Sequence, residues 1–344
     1  MKYKLFGRSG LRVSELALGT MTFGEEWGWG STKEESKQIF DLYANAGGNF
    51  IDTANRYTEG TSEKYVGEFI SSDRDHFVIA TKYTLFTRLN DPNFSGNHKK
   101  NMVRSLEESL KRLNTDYVDL YWVHAWDYTT PVDEILRGLD DLIRQGKILY
   151  IGISDTPAWI VSHANTLAEL KGWTQFAGIQ IKYSLLERTA ELELLPMARK
   201  FGLAVTPWGV IGGGILTGKY SKENRPQDGR ATVIPTIKEK DLQIAEVVKQ
   251  IADEIGCTPS QVALNWVRKQ KGNIIPIIGA RKVEQIKDNL FCLNYNLTNE
   301  QIEKLNNVST FDLTFPHSFL NNPRMKELIY GGTENQIENL DSLR

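Results

Sequence analysis

The chain has 344 residues, 40% of them hydrophobic and 24% charged, with a mean hydropathy of −0.37, which describes a soluble globular protein with length for one large core or two modest ones. A formal net charge of −2 and a pI of about 6.3 leave no global field to attract nucleic acid or an anionic membrane. Cys257 and Cys292 form no disulfide framework and the five histidines show no metal-ligand spacing, so no metal is expected. The N-terminus lacks the apolar stretch of a signal peptide, and no run of about 18 apolar residues appears, so a cytoplasmic location is expected.

Residues 3–6 and 11–13 flank Gly7-Arg8-Ser9-Gly10 and predict a small hairpin ahead of the main fold. Residues 15–21 predict a first buried strand, followed by a loop carrying Trp27 and Trp29. From Thr32 to about Ala46 apolar residues fall at helical spacing, and Gly47-Gly48 ends the run. The unit then repeats. Strand 49–51 precedes a helix near 62–71, and strand 77–81 precedes one near 99–113, with His98-Lys99-Lys100 as its solvated start. Strand 117–123 leads to a helix from about Pro131 to Arg144, where Pro131 suits a first turn. Strand 148–153, a helix over 157–170, strand 177–181, a helix over 190–200 and strand 203–206 continue the series. Helices over about 238–255 and 259–270, an eighth strand at 274–278, and helices near 282–291 and 298–308 complete it.

Eight short apolar runs alternating with amphipathic helices imply parallel βαβ units. An open doubly wound sheet would carry a G-x-G-x-x-G turn after its first strand, and none is present, so a closed (β/α)8 barrel is expected. No linker divides the chain: one domain over 1–344 is expected, with a barrel core at about 15–308 and a tail at 309–344. The loops near 83–98 and 208–237 and the tail are long enough to be functional.

Three consecutive strands deliver an ionisable group at the same end. Asp52 follows strand 49–51, Lys82 closes 77–81 and His124 closes 117–123, with Tyr57 five residues beyond Asp52. Taken singly, an Asp there caps a turn, a Tyr rests on the surface and a His bonds a backbone carbonyl. Together, at the strand ends of a barrel, they form a proton-donating phenol beside a lysine. Free tyrosine, with a pKa of about 10, surrenders its proton reluctantly, and a nearby ammonium brings that pKa toward working pH. Asp52 would hold Lys82 charged and aimed, and His124 would direct a substrate oxygen.

The motif Asp52-Thr53-Ala54-x-x-Tyr57-x-x-Gly60-x-Ser62-Glu63, with Lys82 and His124 in order after it, resembles the aldo-keto reductases from about Met1 to Val308. The segments 152–159 and 206–214 look most like the aryl-alcohol dehydrogenase branch. The resemblance implies an NADP-dependent reductase of aldehydes or ketones that uses NADPH in preference to NADH, with Tyr57 as proton donor. It places Gly19, Thr20, Met21 and Asp52 along the cofactor, and Ser154, Asp155 and Gln180 at the nicotinamide carboxamide. Asp155 stands where Asn is usual, and a carboxylate can accept from the amide but cannot donate to its oxygen. Val205 stands where many members have a stacking aromatic, with Trp208 as a candidate substitute.

Trp208, Gly209, Gly212-Gly213-Gly214, Leu216, Gly218 and Lys219 would follow toward the pyrophosphate, within a match running to Tyr220. Three glycines alone also describe a flexible turn. Gly279, Arg281, Lys282, Gln285, Asp288 and Asn289 resemble the adenosine end, where Arg281 and Lys282 would take a 2′-phosphate at a helix start. A solvated helix start is the plainer alternative. Trp27, Trp29, Phe86, Trp126 and Tyr128 are the expected substrate pocket for flat apolar aldehydes. The implied partners are a small carbonyl substrate and, at most, weak copies of the same chain. Two further readings share the fold: a nucleotide-binding regulatory subunit resembling potassium-channel β subunits, and a metal- or phosphate-dependent barrel enzyme such as an aldolase.

Overall fold

In the computed structural model, which describes residues 1–219 and 237–338, Tyr3–Leu5 (β1) and Arg12–Ser14 (β2) pair antiparallel. This hairpin floors the molecule. Phe6 is fully buried, with its ring 5.7 Å from Phe50 and 6.2 Å from Trp122, both edge-on. Gly7, at φ +61°, lies so close to the backbone that a Cβ would stand 2.2 Å from the Ala177 carbonyl oxygen. No other residue fits there without moving the hairpin off the barrel.

Above it run Ala17–Gly19 (β3), Phe50–Asp52 (β4), Val78–Tyr83 (β5), Val118–Val123 (β6), Ile148–Ser154 (β7), Gly178–Lys182 (β8) and Ala204–Trp208 (β9). Each is parallel to the next. The eighth barrel strand is divided into Asn273–Ile274 (β10), which pairs with β9, and Ile277–Gly279 (β11), which pairs with β3. The sheet is therefore closed. Pro276, without an N–H, cannot donate to a ladder, yet its carbonyl accepts from Ala17 at 2.9 Å while Ile275 donates to Val205 at 2.8 Å. That proline splits the single strand expected at 274–278 exactly where the chain passes from one neighbour to the other.

Between strands lie Lys33–Asn45 (α1), Thr61–Ile70 (α2), Lys99–Leu113 (α3), Val132–Arg144 (α4), Ala158–Lys171 (α5) and Leu194–Phe201 (α6). Glu239–Ile255 (α7), Pro259–Arg268 (α8), Val283–Phe291 (α9) and Asn299–Val308 (α10) follow. Their apolar stripes face inward: Met102, Leu106, Leu110 and Leu113 of α3 are buried, as are Ile135, Leu136, Leu139 and Leu142 of α4. Thr32, Thr258 and Thr298 cap α1, α8 and α10 through their hydroxyls.

Three boundaries differ from expectation. The first strand is shorter than 15–21 because Glu15 turns out to pair with Arg268 at 2.6 Å and Met21 has already entered the mouth. The helix expected over 190–200 begins as a separate 3-10 turn, Thr189–Glu191, which Arg188 ties to Glu191 at 2.7 Å. Pro131 caps α4 from just outside. The tail, read from sequence without regular structure, forms His317–Leu320 (α11) and Pro323–Tyr330 (α12). Residues 220–236 of the expected 208–237 loop, including Tyr220, and residues 339–344 lie outside the described residues. No helix among the described residues is long and apolar enough to cross a membrane.

Candidate active site

Parallel pairing aligns the C-terminal ends of the strands, and the alignment assembles the site. Asp52 is the last residue of β4, Lys82 the penultimate residue of β5, and His124 follows β6 directly. Ser154 ends β7 opposite Gln180 of β8. Side chains alternate along each strand, so these residues can share the barrel interior.

Tyr57 needs a tighter arrangement, because it lies in a loop. The turn Tyr57–Gly60 holds Thr58 at φ 45° and Glu59 at φ 56°, unusual for residues with a Cβ. Thr58 secures it by donating from Oγ1 to the Phe23 carbonyl at 2.6 Å and accepting from the Ser62 N–H at 3.1 Å. Gly60 completes the reversal at φ +91°, where a Cβ would also meet Arg112 Cδ at 2.8 Å. The phenol is thereby folded back over Lys82.

Lys82 is fully buried and all three of its N–H bonds are used: to Asp52 Oδ2 at 2.6 Å, the Thr53 carbonyl at 2.8 Å and the Tyr57 hydroxyl at 3.1 Å. Because the ammonium donates to the phenol oxygen, the phenol's own proton must point elsewhere. Burial alone would lower the Lys82 pKa, but the Asp52 carboxylate and the Tyr57 phenol outweigh it and hold the amine above its ordinary value. The other Asp52 oxygen accepts from Gln180 Nε2 at 2.9 Å, across half the barrel.

His124 stands edge-on to Tyr57, with ring centroids 5.9 Å apart. Desolvation and then the Lys82 charge push its pKa well below the ordinary histidine value, so the imidazole is neutral at neutral pH. Its Nδ1 is buried without a hydrogen-bond partner among the described residues.

A cavity of about 990 Å³ begins at Asp52, Tyr57 and His124 and runs along the barrel mouth to the start of α9. Of the residues expected along a cofactor, Gly19, Met21, Asp52, Ser154, Asp155, Gln180, Trp208, Gly209, Gly214 and Lys219 line it. So do Gly279, Arg281, Lys282, Gln285, Asp288 and Asn289. Thr20, Leu216 and Gly218 do not. Thr20 is buried beneath the site, its hydroxyl within 2.8 Å of Ser62 Oγ, and Leu216 is in the core.

Several of these polar groups also serve the protein itself. Gln285 Oε1 accepts from the N–H groups of Arg281 at 2.8 Å and Lys282 at 3.3 Å, capping α9. Asn289 donates to the Gly279 carbonyl, Asp288 accepts from Thr258 and Gln261, and Lys282 pairs with Glu35 at 3.1 Å. Arg281 has no carboxylate partner among the described residues. Asp155 sits at φ 42°, a left-handed conformation that Asn and Asp tolerate best, which accounts for one standing where the other is usual. Its Oδ1 accepts from Trp208 Nε1 at 3.1 Å, and desolvation pushes its carboxyl above the ordinary range against that hydrogen bond.

The five aromatics divide. Trp27 and Trp29, 5.7 Å apart, line the cavity. Phe86 lies outside the lining and stacks beneath Arg56, Trp126 packs on the core, and Tyr128 is 74% exposed at φ 59°. Arg56, Leu85, Thr22, Ser260 and Leu264 also line the cavity and were not anticipated. Two signals were available: Arg56 lies inside the Asp52–Glu63 motif, and Thr258-Pro259-Ser260-Gln261 reads as a capped helix start.

The site is thus a closed parallel barrel with a lysine, a carboxylate, a phenol and an imidazole at its C-terminal mouth. The model of the Aldo/keto reductase family matches residues 15–310, and the chain belongs to that family. It is 40% identical to a putative aryl-alcohol dehydrogenase of Saccharomyces cerevisiae, over 91% of this chain and 87% of that one. It is also 40% identical to a norsolorinic acid reductase of Emericella nidulans, over 91% of this chain and 82% of the relative. An aryl-alcohol dehydrogenase [NADP(+)] of Phanerodontia chrysosporium is 36% identical, over 90% and 86% of the two chains. Family and relatives together support an oxidoreductase that reduces carbonyl groups.

Proposed function

We propose that this protein, as one domain built on the barrel, is an NADPH-dependent reductase of aromatic and other apolar aldehydes or ketones, with Tyr57 as the proton donor. The observation that carries the reading is the Lys82 ammonium at 3.1 Å from the Tyr57 hydroxyl, inside a buried site that also holds neutral His124. An ammonium donating to a phenol oxygen stabilises the phenolate left when the proton departs, which is what a general acid requires. Neutral His124 keeps one N–H for a substrate oxygen, orienting the carbonyl toward the Tyr57 proton. Asp52 keeps Lys82 charged and aimed, and Gln180 fixes the second Asp52 oxygen.

The residues present fit a nicotinamide dinucleotide. Ser154 Oγ is a buried hydroxyl that lines the cavity beside the Asp155 carboxylate, too poorly aligned with it for a good hydrogen bond. An ionised Asp155 can only accept, so Ser154 Oγ and the second N–H of the Gln180 amide, whose first goes to Asp52, are the groups that can donate to a carboxamide oxygen. Gly213 and Gly214, at φ 66° and 106°, give the left-handed turn by which a backbone approaches phosphate. Arg281 would hold a 2′-phosphate, with Gln285 keeping the α9 start in shape. When bound, the cofactor supplies the hydride. Trp27, Trp29 and Leu85 form the apolar wall for a flat substrate.

The test is an NADPH-oxidation screen over aromatic and aliphatic aldehydes. Turnover supports the reading. NADPH bound tightly, with no aldehyde or ketone reduced, would instead indicate a nucleotide-binding regulatory subunit.

A further inference from the structure

The substrate end of the cavity contains a cation that carbonyl reduction does not require. Arg56 immediately precedes Tyr57, and its side chain, 19% exposed, lines the same cavity as the phenol. The guanidinium lies over the Phe86 ring at 4.5 Å and the Trp27 ring at 5.7 Å. Glu59 contacts Nη1, and Trp27 Nε1 donates to the same carboxylate at 3.0 Å. Glu59 does not line the cavity and is 55% exposed. It therefore steadies the guanidinium from outside the cavity.

Packing between two aromatic rings would be served by an aliphatic side chain at lower desolvation cost. A guanidinium has five N–H donors, and one carboxylate contact does not exhaust them. Among the described residues the Arg56 side chain makes no other hydrogen bond. The remaining donors stand beside an apolar wall, next to the residue that would protonate the carbonyl.

We propose that Arg56 determines specificity: the preferred substrates are aromatic aldehydes or ketones that bear a second, anionic oxygen function, a carboxylate or an ionised phenol, gripped by the guanidinium. This rests on the carbonyl-reduction reading. A charge-assisted hydrogen bond contributes roughly 1.5–3 kcal/mol, and Glu59 offsets part of it, so the expected discrimination is on the order of tenfold.

The experiment compares kcat/KM for 3- and 4-formylbenzoate with that for their methyl esters, which keep the ring and remove the charge. Arg56→Gln should lower the acid-to-ester ratio about tenfold, and Glu59→Gln, which frees the guanidinium, should raise it. An equal ratio in wild type and Arg56→Gln overturns the proposal. Should Arg56→Gln fail to fold, Glu59→Gln decides alone: an unchanged or lower ratio overturns it. A parallel titration of benzoate and methyl benzoate, followed by tryptophan fluorescence, needs no turnover. If no aldehyde is reduced the carbonyl-reduction reading falls, yet benzoate binding weakened by Arg56→Gln retains the anion site, and equal affinities remove it.

Discussion

The floor of the cavity and its far arm are built on opposite terms. At the floor, Lys82 is fully buried, every N–H is satisfied within 3.1 Å, and its partners come from the end of the neighbouring strand β4 and the loop that follows it. In the arm, Gln285 caps its own helix, Lys282 is paired with Glu35, and Lys282 is 63% exposed. The floor couples chemistry to stability, because removing one member leaves a charge buried and unpaired. The arm separates them at its cations, since Lys282 is exposed and Arg281 has no carboxylate partner among the described residues, so the loss of either is felt mainly by a ligand.

Lys82→Met should break the floor most severely. Asp52 would be left as a buried carboxylate with only Gln180, at a stability cost of about 3–5 kcal/mol. Turnover should fall by about 10²–10⁴-fold. Denaturant unfolding and aldehyde reduction measure the two effects. A stable variant with full turnover would show that the floor is not coupled.

The arm should respond in affinity alone. Arg281→Ala should weaken NADPH binding on the order of ten- to a hundredfold, the value of one lost charge-assisted hydrogen bond, while NADH binding changes little. Fluorescence quenching with both cofactors decides this. Equal weakening would make Arg281 a loop support, and a wild-type preference for NADH would remove the 2′-phosphate assignment.

Between the two lies the aromatic wall. If Trp27 and Trp29 select flat substrates, wild type should favour benzaldehyde over a straight-chain aldehyde of similar size, and Trp29→Ala should narrow that preference several-fold, as about 1–2 kcal/mol of lost burial implies. A ratio near one in wild type would leave both as loop packing.

The smallest effect is a pH dependence of stability. His124 is neutral in the fold well below its ordinary pKa of about 6.5, whereas the unfolded chain takes up that proton. Stability should therefore fall as pH drops below about 6.5, by up to about 1.4 kcal/mol per unit until the folded pKa is reached. His124→Gln should flatten that slope. An unchanged slope would mean that other groups set it.

The same contrast governs what could be read in advance. Asp52, Lys82 and His124 were legible because each closes an apolar, β-branched run, and parallel pairing turns that sequence position into a shared place at the mouth. The eight-unit alternation was legible for the same reason. The division of the last strand was not, since it depends on Pro276 meeting Ala17 across the closure. Gln180 reaching Asp52 joins residues 128 apart, and no local pattern reports it. Loop aromatics are aimed by backbone geometry: Tyr128, at φ 59°, is turned to solvent, while the Trp27 indole is drawn onto Glu59. The α12 start was written in Asn322-Pro323, a cap followed by proline, but the short helix carries too weak an apolar stripe to stand out.

The most direct test of Tyr57 as proton donor is Tyr57→Phe, because the Tyr57 hydroxyl is held by Lys82 at 3.1 Å and its removal leaves the buried Lys82–Asp52 pair intact. NADPH dissociation constants and single-turnover reduction of an aromatic aldehyde should be measured side by side in wild type and variant. Cofactor binding should stay close to wild type while reduction slows by at least about 10²-fold. Reduction near the wild-type rate, in a variant that binds NADPH normally, would contradict Tyr57 as the proton donor.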